Sequence, residues 1–171
     1  MAHLTIHNSN NRACKIFETR QIKEFLKFYG AHYEKWDLAG RISPTSTKEE
    51  ILTEYKPEIE SLRSWGFVGR DLVNLWPDTQ NLTYMLNMGN REHTHPNPEM
   101  RFVVCGHGEY FLNLLSKNGS IVSLHVGAGD VIVIPAGLPH WFHLCRDLRI
   151  EVVHLFVNEE GRKPKYPPYD I

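Results

Sequence analysis

The sequence predicts a mainly β fold: a single domain built as a jelly-roll barrel, or double-stranded β-helix, with helices flanking it on the N-terminal side. Two observations predict this fold class. From residue 67 to about residue 157, apolar side chains recur at alternate positions in many short segments, which is typical of β-strands. Turn-forming pairs such as Pro77-Asp78 and Asn118-Gly119 separate these segments. Many short strands at this spacing favour a sandwich or a small barrel.

The candidate strands fill the second half of the chain, and one more is expected near the start, at Ala13 to Phe17. In order, the others are Asp71 to Trp76, Leu82 to Asn87, Glu92 to His95, Arg101 to Val104, Glu109 to Leu115, Ile121 to Val126, Val131 to Ile134, His140 to His143 and Ile150 to Val157. The tail, residues 161–171, is rich in Pro and Lys and is expected to be a surface arm or a disordered end. Residues 1–171 are therefore interpreted as one domain.

The helical flank covers about residues 19–66. Thr19 is expected to cap a helix that runs to about Tyr29, where Gly30 supplies the stop. A short extended stretch follows at Ala31 to Asp37.

A second helix is expected to begin at Ser46, because Glu49 stands three residues later, at the spacing of a capping box. Pro57 should kink this helix or split it in two. The apolar stripes of both helices are interpreted as facing the barrel core, and a partner-binding helix is the alternative.

Composition narrows the class of protein. A chain of 171 residues with 42% hydrophobic and 23% charged residues is ordinary for one globular domain, and we expect a monomer. The net charge of −1 gives no argument for binding nucleic acid or an anionic membrane. No membrane-span-length apolar run or secretory signal is evident. The three cysteines are widely spaced and odd in number, which favours reduced thiols in the cytoplasm over a disulfide framework.

One stretch, residues 89–106, carries the strongest functional signal. His93 and His95 alternate with one intervening residue, so in a strand both side chains point the same way, about 7 Å apart. Pro96 and Pro98 interrupt the strand, and a bend there can bring Glu99 back beside the two imidazoles. Two histidines and a carboxylate on one interior surface are a set of metal ligands.

A second segment, residues 129–140, is an apolar strand, a Pro/Gly turn and a histidine, His140. The two segments resemble the two cupin motifs, although the first has three rather than five residues between its opening glycine and the first histidine. By that resemblance the metal ligands are His93, His95, Glu99 and His140. A metal-free barrel that keeps the pattern is the alternative.

The other histidines fit no ligand pattern. His3, His7, His32 and His107 are interpreted as surface or loop residues, and His125 and His143 as structural. Four ligands leave two positions of an octahedral ion open, which suits one Fe(II), Ni(II), Mn(II) or Co(II) ion per chain and a substrate that chelates through two oxygens. Such a substrate is an enediolate or a similar anion that reacts with O2.

Strand alternation places further side chains in the pocket. Glu99 and Arg101 share a face, so Arg101 should enter the cavity. It can pair with Glu151 or another acid, or it can bind an anionic substrate. His154 either lines the pocket or is a core histidine. The pocket wall is expected to comprise Phe102, Trp141, Phe142 and Phe156 or their neighbours.

These residues resemble the acireductone dioxygenases of methionine salvage, bacterial members above all. The matching stretches include residues 92–95 (Glu-His-Thr-His), 99–102 (Glu-Met-Arg-Phe) and 139–142 (Pro-His-Trp-Phe). The resemblance implies an Fe(II) or Ni(II) enzyme that cleaves an enediol ketone with a methylthioethyl tail. The iron form yields formate and the keto-acid precursor of methionine, and the nickel form yields carbon monoxide, formate and methylthiopropionate.

For the substrate, the resemblance implies that Arg101 binds and orients its oxygens, with a catalytic role, and Phe102, Phe142 and His154 are expected to contact it as residues of the pocket. Three positions depart from the family pattern: His154 replaces an arginine, Arg162 a tryptophan, and Pro98 an acidic residue. They motivate a second hypothesis, a cupin oxygenase or isomerase for another chelating enediol or diketone. A non-enzymatic ligand-binding cupin is the third.

Overall fold

The barrel is built from antiparallel strands. The computed structural model describes residues 1–7, 13–43, 45–114 and 120–168, and within them nine strands form the sheet structure. In chain order they are β1 (His3–His7), β2 (Ala13–Ile16), β3 (His32–Lys35), β4 (Gly69–Leu75), β5 (Glu99–Asn113), β6 (Ile121–Gly127), β7 (Asp130–Ile134), β8 (His140–Leu144) and β9 (Ile150–Phe156). The predicted turn at Asn118-Gly119, the residue Leu115 and the tail beyond residue 168 lie outside the described residues.

The long strand β5 joins the two halves of the barrel. Its first residues pair with β7 on one side and with β9 on the other. In the same half of the barrel, β7 also pairs with β3, and β9 also pairs with β4. The last residues of β5 pair with β6 and β8, and β6 continues to β1 and β2. Two antiparallel sheets that share one bent strand form the predicted jelly-roll barrel, so the fold-class prediction is confirmed.

Gly106 stands where β5 passes from one half of the barrel to the other, since it pairs with β9 and the pairing with β6 begins at the next residue. It has a φ of 78°, and the β5–β9 register shifts between Val103 and Cys105. A Cβ at position 106 would lie 2.0 Å from the carbonyl oxygen of Arg149. The sequence predicted two strands here, Arg101 to Val104 and Glu109 to Leu115, with a break between them. That prediction was wrong, because a left-handed glycine can form a bulge that bends a strand without ending it.

Replacing Gly106 with alanine is expected to destabilise the protein by about 3 kcal/mol or more, because left-handed strain of about 1–3 kcal/mol adds to a backbone clash. Urea unfolding measures the loss. Gly127→Ala on the adjacent β6 is the matched control, since the nearest atom its Cβ would meet is 3.7 Å away, at ordinary contact distance. Equal stability of the two variants would contradict this account of the bulge.

Five α-helices occur in the described residues: α1 (Thr19–Phe28), α2 (Lys48–Glu54), α3 (Lys56–Ser61), α4 (Leu82–Asn90) and α5 (Glu159–Arg162). Gly30, with a φ of 84°, follows α1 as predicted. The predicted cap at Thr19 was wrong by one residue, because Glu18 holds the N-cap position and makes no side-chain cap bond.

The capping box of α2 lies one residue later than predicted. The backbone N–H of Glu50 donates to Thr47 Oγ1 at 3.2 Å, and the backbone N–H of Thr47 donates to Glu50 Oε2 at 2.7 Å. Ser46 and Glu49 have the same spacing, so the sequence could not choose between the two registers. Pro57 stands in the first turn of α3, which confirms that the helical segment splits there.

Helix α4 occupies the segment that was predicted as the strand Leu82 to Asn87. Alternation at Leu82, Tyr84 and Leu86 suggested that strand, yet Tyr84 is largely exposed. Leu82 and Leu86 pack against the core at helical spacing, and Met85 reaches a cavity described below. In so short an apolar segment both periods fit, and tertiary packing selected the helix.

Two apolar layers hold the fold together. The first fills the barrel interior and continues to Ile22 and Leu26 of α1, as predicted for that helix. The second lies outside the sheet of β5, β7 and β9, under Ile51 and Leu52 of α2. At its centre the ring of Phe102 packs between neighbouring aromatic rings. The helical stripes are therefore core-facing, as expected.

The C-terminal segment packs against the barrel. Thr94 and Lys165 form an antiparallel bridge, with backbone N–H···O distances of 2.8 and 2.9 Å in the two directions. The Tyr166 hydroxyl donates to the backbone oxygen of Met88 in α4 at 3.0 Å. The described part of the tail therefore lies at the surface, as one of the two expectations had it, and is held to the barrel by these hydrogen bonds. In the described part of the chain, no helix is both long and apolar enough to cross a membrane.

Candidate metal centre

Three histidines converge at one end of the barrel. His93 and His140 face each other in an isolated bridge, in which each backbone N–H donates to the other's carbonyl at 3.0 and 2.9 Å. His95 follows two residues later, with its ring centroid 5.2 Å from that of His93. The predicted strand Glu92 to His95 is reduced to this bridge and its neighbour at Thr94. The predicted alternation nevertheless holds, because both rings lie on the same side.

Each of the three rings is oriented by a backbone carbonyl. His93 Nδ1 lies 2.7 Å from the oxygen of Arg91, and His140 Nδ1 lies 2.8 Å from the oxygen of Leu138. His95 Nδ1 lies 2.9 Å from the oxygen of Gly161. A carbonyl only accepts, so each Nδ1 carries the hydrogen and each Nε2 keeps its lone pair. This is the usual arrangement of metal-binding histidines.

The inward-facing nitrogens fit a metal ion. One ligand atom from each of His93, His95 and His140 lies within 4.8 Å of the others. The Nε2 atoms of His95 and His140 are buried and make no hydrogen bond to any residue that the structure describes. Glu99, 2% exposed at the start of β5, places Oε1 3.2 Å from His140 Nε2 and Oε2 3.6 Å from His95 Nε2. Lone pairs that converge in a buried site are costly unless a cation lies between them.

Arg101 is the partner of the Glu99 carboxylate. Its Nη2 donates to Glu99 Oε2 at 2.9 Å, and its side chain keeps 21% exposure towards the cavity. The alternative partner, Glu151, lies on the opposite face of β9, with Val153 and Leu155. Burial raises the pKa of Glu151, and Arg101 does not offset it. Arg101 therefore enters the site, and its acidic partner is Glu99.

The electrostatics of the site favour neutral imidazoles beside an ionised carboxylate. Burial, assisted by the neighbouring His140, lowers the pKa of His93 to about 4, and burial also lowers the pKa of His95. Burial alone would raise the pKa of Glu99, but the charge of Arg101 and contacts with two imidazoles hold it well below its ordinary range. Neutral imidazole and carboxylate are the forms that bind a metal, so at neutral pH no proton has to be displaced.

A cavity of about 170 Å³ adjoins these residues. Its polar end is formed by His93, Glu99, Arg101 and His140. The rest of its wall is largely apolar and comprises Val73, Leu75, Met85, Leu86, Gly89, Tyr110, Phe142, Ile150 and Val152. A larger groove of about 540 Å³ beside α2 lies among exposed charged side chains and away from this centre.

Of the aromatic residues expected in the pocket, Phe142 lines it and the other three do not. Phe102 belongs to the outer apolar layer, with ring centroids 4.8 Å from Trp36 and 4.7 Å from Tyr55. Its expected substrate contact is therefore not supported by the geometry, because alternation along β5 turns it away from Arg101. Trp141 stacks on Phe111, and Phe156 packs beside His154.

His154 lies next to the carboxylate and does not line the cavity. It is 3% exposed, and its Nε2 lies 3.2 Å from Glu99 Oε2. Burial, with the nearby charge of Arg101, lowers the pKa of His154 to about 4. Of the two open alternatives, the structure favours the core histidine, in contact with the site through Glu99.

Sequence reasoning missed the contribution of the C-terminal segment. Asn158 accepts the backbone N–H of Gly161 at 2.7 Å and caps α5, which places the Gly161 carbonyl on His95. A Cβ at position 161 would lie 2.5 Å from Asn97 Nδ2, so the position has no room for a side chain. Nothing in the local sequence signals a contact that spans 66 residues.

The remaining histidines do not join the centre. His3, His32 and His107 are partly exposed and His7 is exposed, although all four lie on strands and not in loops. His125 stacks on His3, with ring centroids 5.1 Å apart, on the outer face of the sheet. These side chains lie outside the metal centre, as expected for histidines that do not fit the ligand pattern.

Comparison with known proteins finds relatives along almost the whole chain. The family model described as "ARD/ARD′ family" matches residues 3–164. The acireductone dioxygenase of Bacillus pumilus (strain SAFR-032) is 34% identical over 175 residues, covering 97% of each protein. That of Aquifex aeolicus (strain VF5) is 29% identical over 173 residues, covering 100% of this chain and 93% of that protein.

A solved structure gives the same result for the fold. An acireductone dioxygenase from Bacillus anthracis, with a cadmium ion in its active centre, matches with a TM-score of 0.86 and 31% identity, covering 97% of this chain and 98% of that one. The three-histidine cluster, the jelly-roll barrel and these relatives agree. The chain has a cupin fold and belongs to the ARD/ARD′ family.

Proposed function

We propose that this protein is an acireductone dioxygenase, a metal-dependent enzyme that cleaves an enediol ketone with O2 to formate and a 2-keto acid. One observation carries the proposal. Three imidazoles and a carboxylate converge beside the polar end of a largely apolar cavity, with a guanidinium in its wall. Family membership along nearly the whole chain supports it.

His93, His95, Glu99 and His140 would hold one ion per chain. Such a mixed set of imidazole and carboxylate ligands suits Fe(II) or Ni(II), and also accepts Mn(II) or Co(II). When bound, the ion supplies a Lewis acid on which a chelating enediolate and O2 can be brought together. The four-coordinate preference of Zn(II) fits this role less well.

Arg101 would bind the negative charge of the substrate. Its Nη2 is engaged by Glu99, but its buried Nε has no hydrogen-bond partner. A buried donor without a partner costs free energy, and an anionic oxygen in the cavity would satisfy it. The guanidinium thus orients the enediolate and stabilises its charge in a site from which the surrounding apolar wall excludes water.

The apolar wall supports a substrate with a short aliphatic tail. Val73, Leu75, Ile150 and Val152 come from β4 and β9, while α4 covers the cavity with Met85 and Leu86. Phe142 completes this surface. A methylthioethyl tail, as in the acireductone of methionine salvage, has the apolar character that such a wall favours.

Anaerobic reconstitution with Fe(II), and separately with Ni(II), tests this proposal. On addition of acireductone and air, we expect metal-dependent loss of the enediol, O2 uptake and release of formate. Product analysis should give the 2-keto acid with Fe(II), and carbon monoxide with methylthiopropionate in the nickel form. Binding of one ion per chain without acceleration over background oxidation would contradict the proposal.

A second candidate, a cupin oxygenase or isomerase for another chelating enediol or diketone, rests on His154. This residue contacts Glu99 and leaves Arg101 as the cationic side chain in the described cavity wall. A substrate with fewer anionic oxygens would suit such a wall. O2 consumption separates an isomerase from both oxygenases, since an isomerase uses none.

We also propose an oligomeric state and a cellular compartment for the protein. We expect a monomer in the cytoplasm, acting on a small molecule without nucleic acid or membrane. Free thiols at Cys14, Cys105 and Cys145 support a reducing compartment. Light scattering of the purified protein tests the oligomeric state.

A further inference from the structure

The two oxygens of Glu99 have different neighbours. Oε2 lies 2.9 Å from Arg101 Nη2 and 3.2 Å from His154 Nε2. Oε1 lies 3.2 Å from His140 Nε2, on the side of the three-imidazole cluster. Oε2 also lies 3.6 Å from His95 Nε2, so both oxygens border the imidazole cluster, but the contacts with Arg101 and His154 are made by Oε2.

Strand register fixes the place of His154. His154 on β9 stands directly opposite Arg101 on β5. Arg101 in turn comes two residues after Glu99 on the same strand. The ring packs beside Phe156, with centroids 5.2 Å apart, and is almost completely buried. Within the described residues the buried Nε2 of His154 makes no hydrogen bond of good geometry, and Glu99 Oε2, 3.2 Å away, is the acceptor that a hydrogen on it can reach.

We propose that His154 is a positioning residue, which holds Glu99 Oε2 jointly with Arg101 so that the carboxylate offers Oε1 alone to the metal. This inference rests on the proposed metal centre. A carboxylate fixed through one oxygen occupies one coordination position and leaves room for a chelating substrate.

The same contact has a consequence for Arg101. Without a hydrogen bond from His154, Glu99 Oε2 would depend on Arg101 as its strong donor. The carboxylate would then draw the guanidinium towards itself. By sharing Oε2, His154 leaves the Arg101 side chain, which keeps 21% exposure, available to the cavity. The histidine thus acts on both the ligand and the substrate-binding cation without touching the substrate.

Metal affinity tests the proposal independently of turnover. Co(II) is titrated anaerobically against a competing chelator, and its visible spectrum reports the coordination. His154→Leu, which has no donor, is expected to bind Co(II) about 10–100-fold more weakly, the usual effect of losing an outer partner of a ligand, with an altered spectrum. His154→Gln, whose amide can donate, should bind within about threefold of the wild-type value.

Val153→Ala is the matched control on the same strand. Its side chain lies in the outer apolar layer, so the substitution lowers fold stability without touching Glu99. Urea unfolding of each variant measures its loss of fold stability. We expect Val153→Ala to retain the wild-type Co(II) affinity and spectrum.

Two results would overturn the positioning role: wild-type affinity and spectrum in His154→Leu, or an equal loss of affinity in Val153→Ala. If the wild-type protein binds Co(II) but never accelerates loss of acireductone, the proposed function fails. The role of His154 is then still tested by the Co(II) affinities of the variants. If the wild-type protein binds no Co(II), the metal centre fails and this inference fails with it.

Discussion

Replacing His140 with alanine is expected to weaken divalent-metal binding by more than about 100-fold, because loss of an outer partner alone costs 10–100-fold and a direct ligand contributes more. His140 is 2% exposed, and within the described residues its inward nitrogen makes no hydrogen bond, although Glu99 Oε1 lies 3.2 Å away. Its bridge to His93 runs through backbone atoms, so the substitution removes the ligand without removing that contact. Turnover should be lost together with the metal.

The measurement is an anaerobic titration with Ni(II) or Co(II) against a chelator, supported by thermal unfolding with and without metal. A bound ion raises the unfolding temperature, and this increase should disappear in His140→Ala. His143→Ala is the matched control, three residues along the same strand, with an exposed side chain. Wild-type metal affinity in His140→Ala would mean that the ion binds elsewhere.

Replacing Arg101 with methionine is expected to reduce both stability and turnover. Removal of one partner of a buried ion pair costs about 3–5 kcal/mol, and we expect about 3 kcal/mol because the guanidinium is one-fifth exposed. Without the cation, the pKa of Glu99 rises, since the charge of Arg101 offsets its burial. Loss of a donor that stabilises developing anionic charge typically lowers kcat by about 10²–10³-fold.

Urea unfolding and steady-state kinetics of the metal-loaded enzyme measure these two effects. Arg101→Lys should restore part of the stability and little of the turnover, because a lysine cannot serve Glu99 and the substrate with separate fixed donors. Arg70→Met, at an exposed position on β4, is the control for loss of a positive charge. Unchanged kinetics in Arg101→Met would exclude the proposed substrate contact.

The three-histidine cluster could be predicted from sequence in two ways. His93 and His95 are separated by one residue, so strand alternation places their rings on one side, whereas His140 was assigned to them by resemblance to the second cupin motif. The placement of Arg101 in the wall followed from the same alternation. Phe102 was assigned to the pocket against that alternation, and the structure places it in the outer layer with Trp36.

Other features depend on contacts between distant segments, which no local pattern encodes. The contact of His154 with Glu99 requires the β5–β9 register, and a one-residue slip would turn His154 to the other face. Helix α4 was mistaken for a strand because a five-residue apolar segment fits both periods. Its true conformation is selected by packing of Leu86 against the core.

The hydrogen bond from His95 to Gly161 also bears on how the protein is synthesised. The ribosome adds Gly161 66 residues after His95, and at 5–20 residues per second this takes about 3–13 s. Within that interval Glu99 and His140 join His93 and His95, so all four proposed ligands are present while the carbonyl that fixes the tautomer of His95 is still missing. The mature coordination geometry therefore becomes available only late in translation, and metal captured earlier meets a His95 ring that is free to rotate.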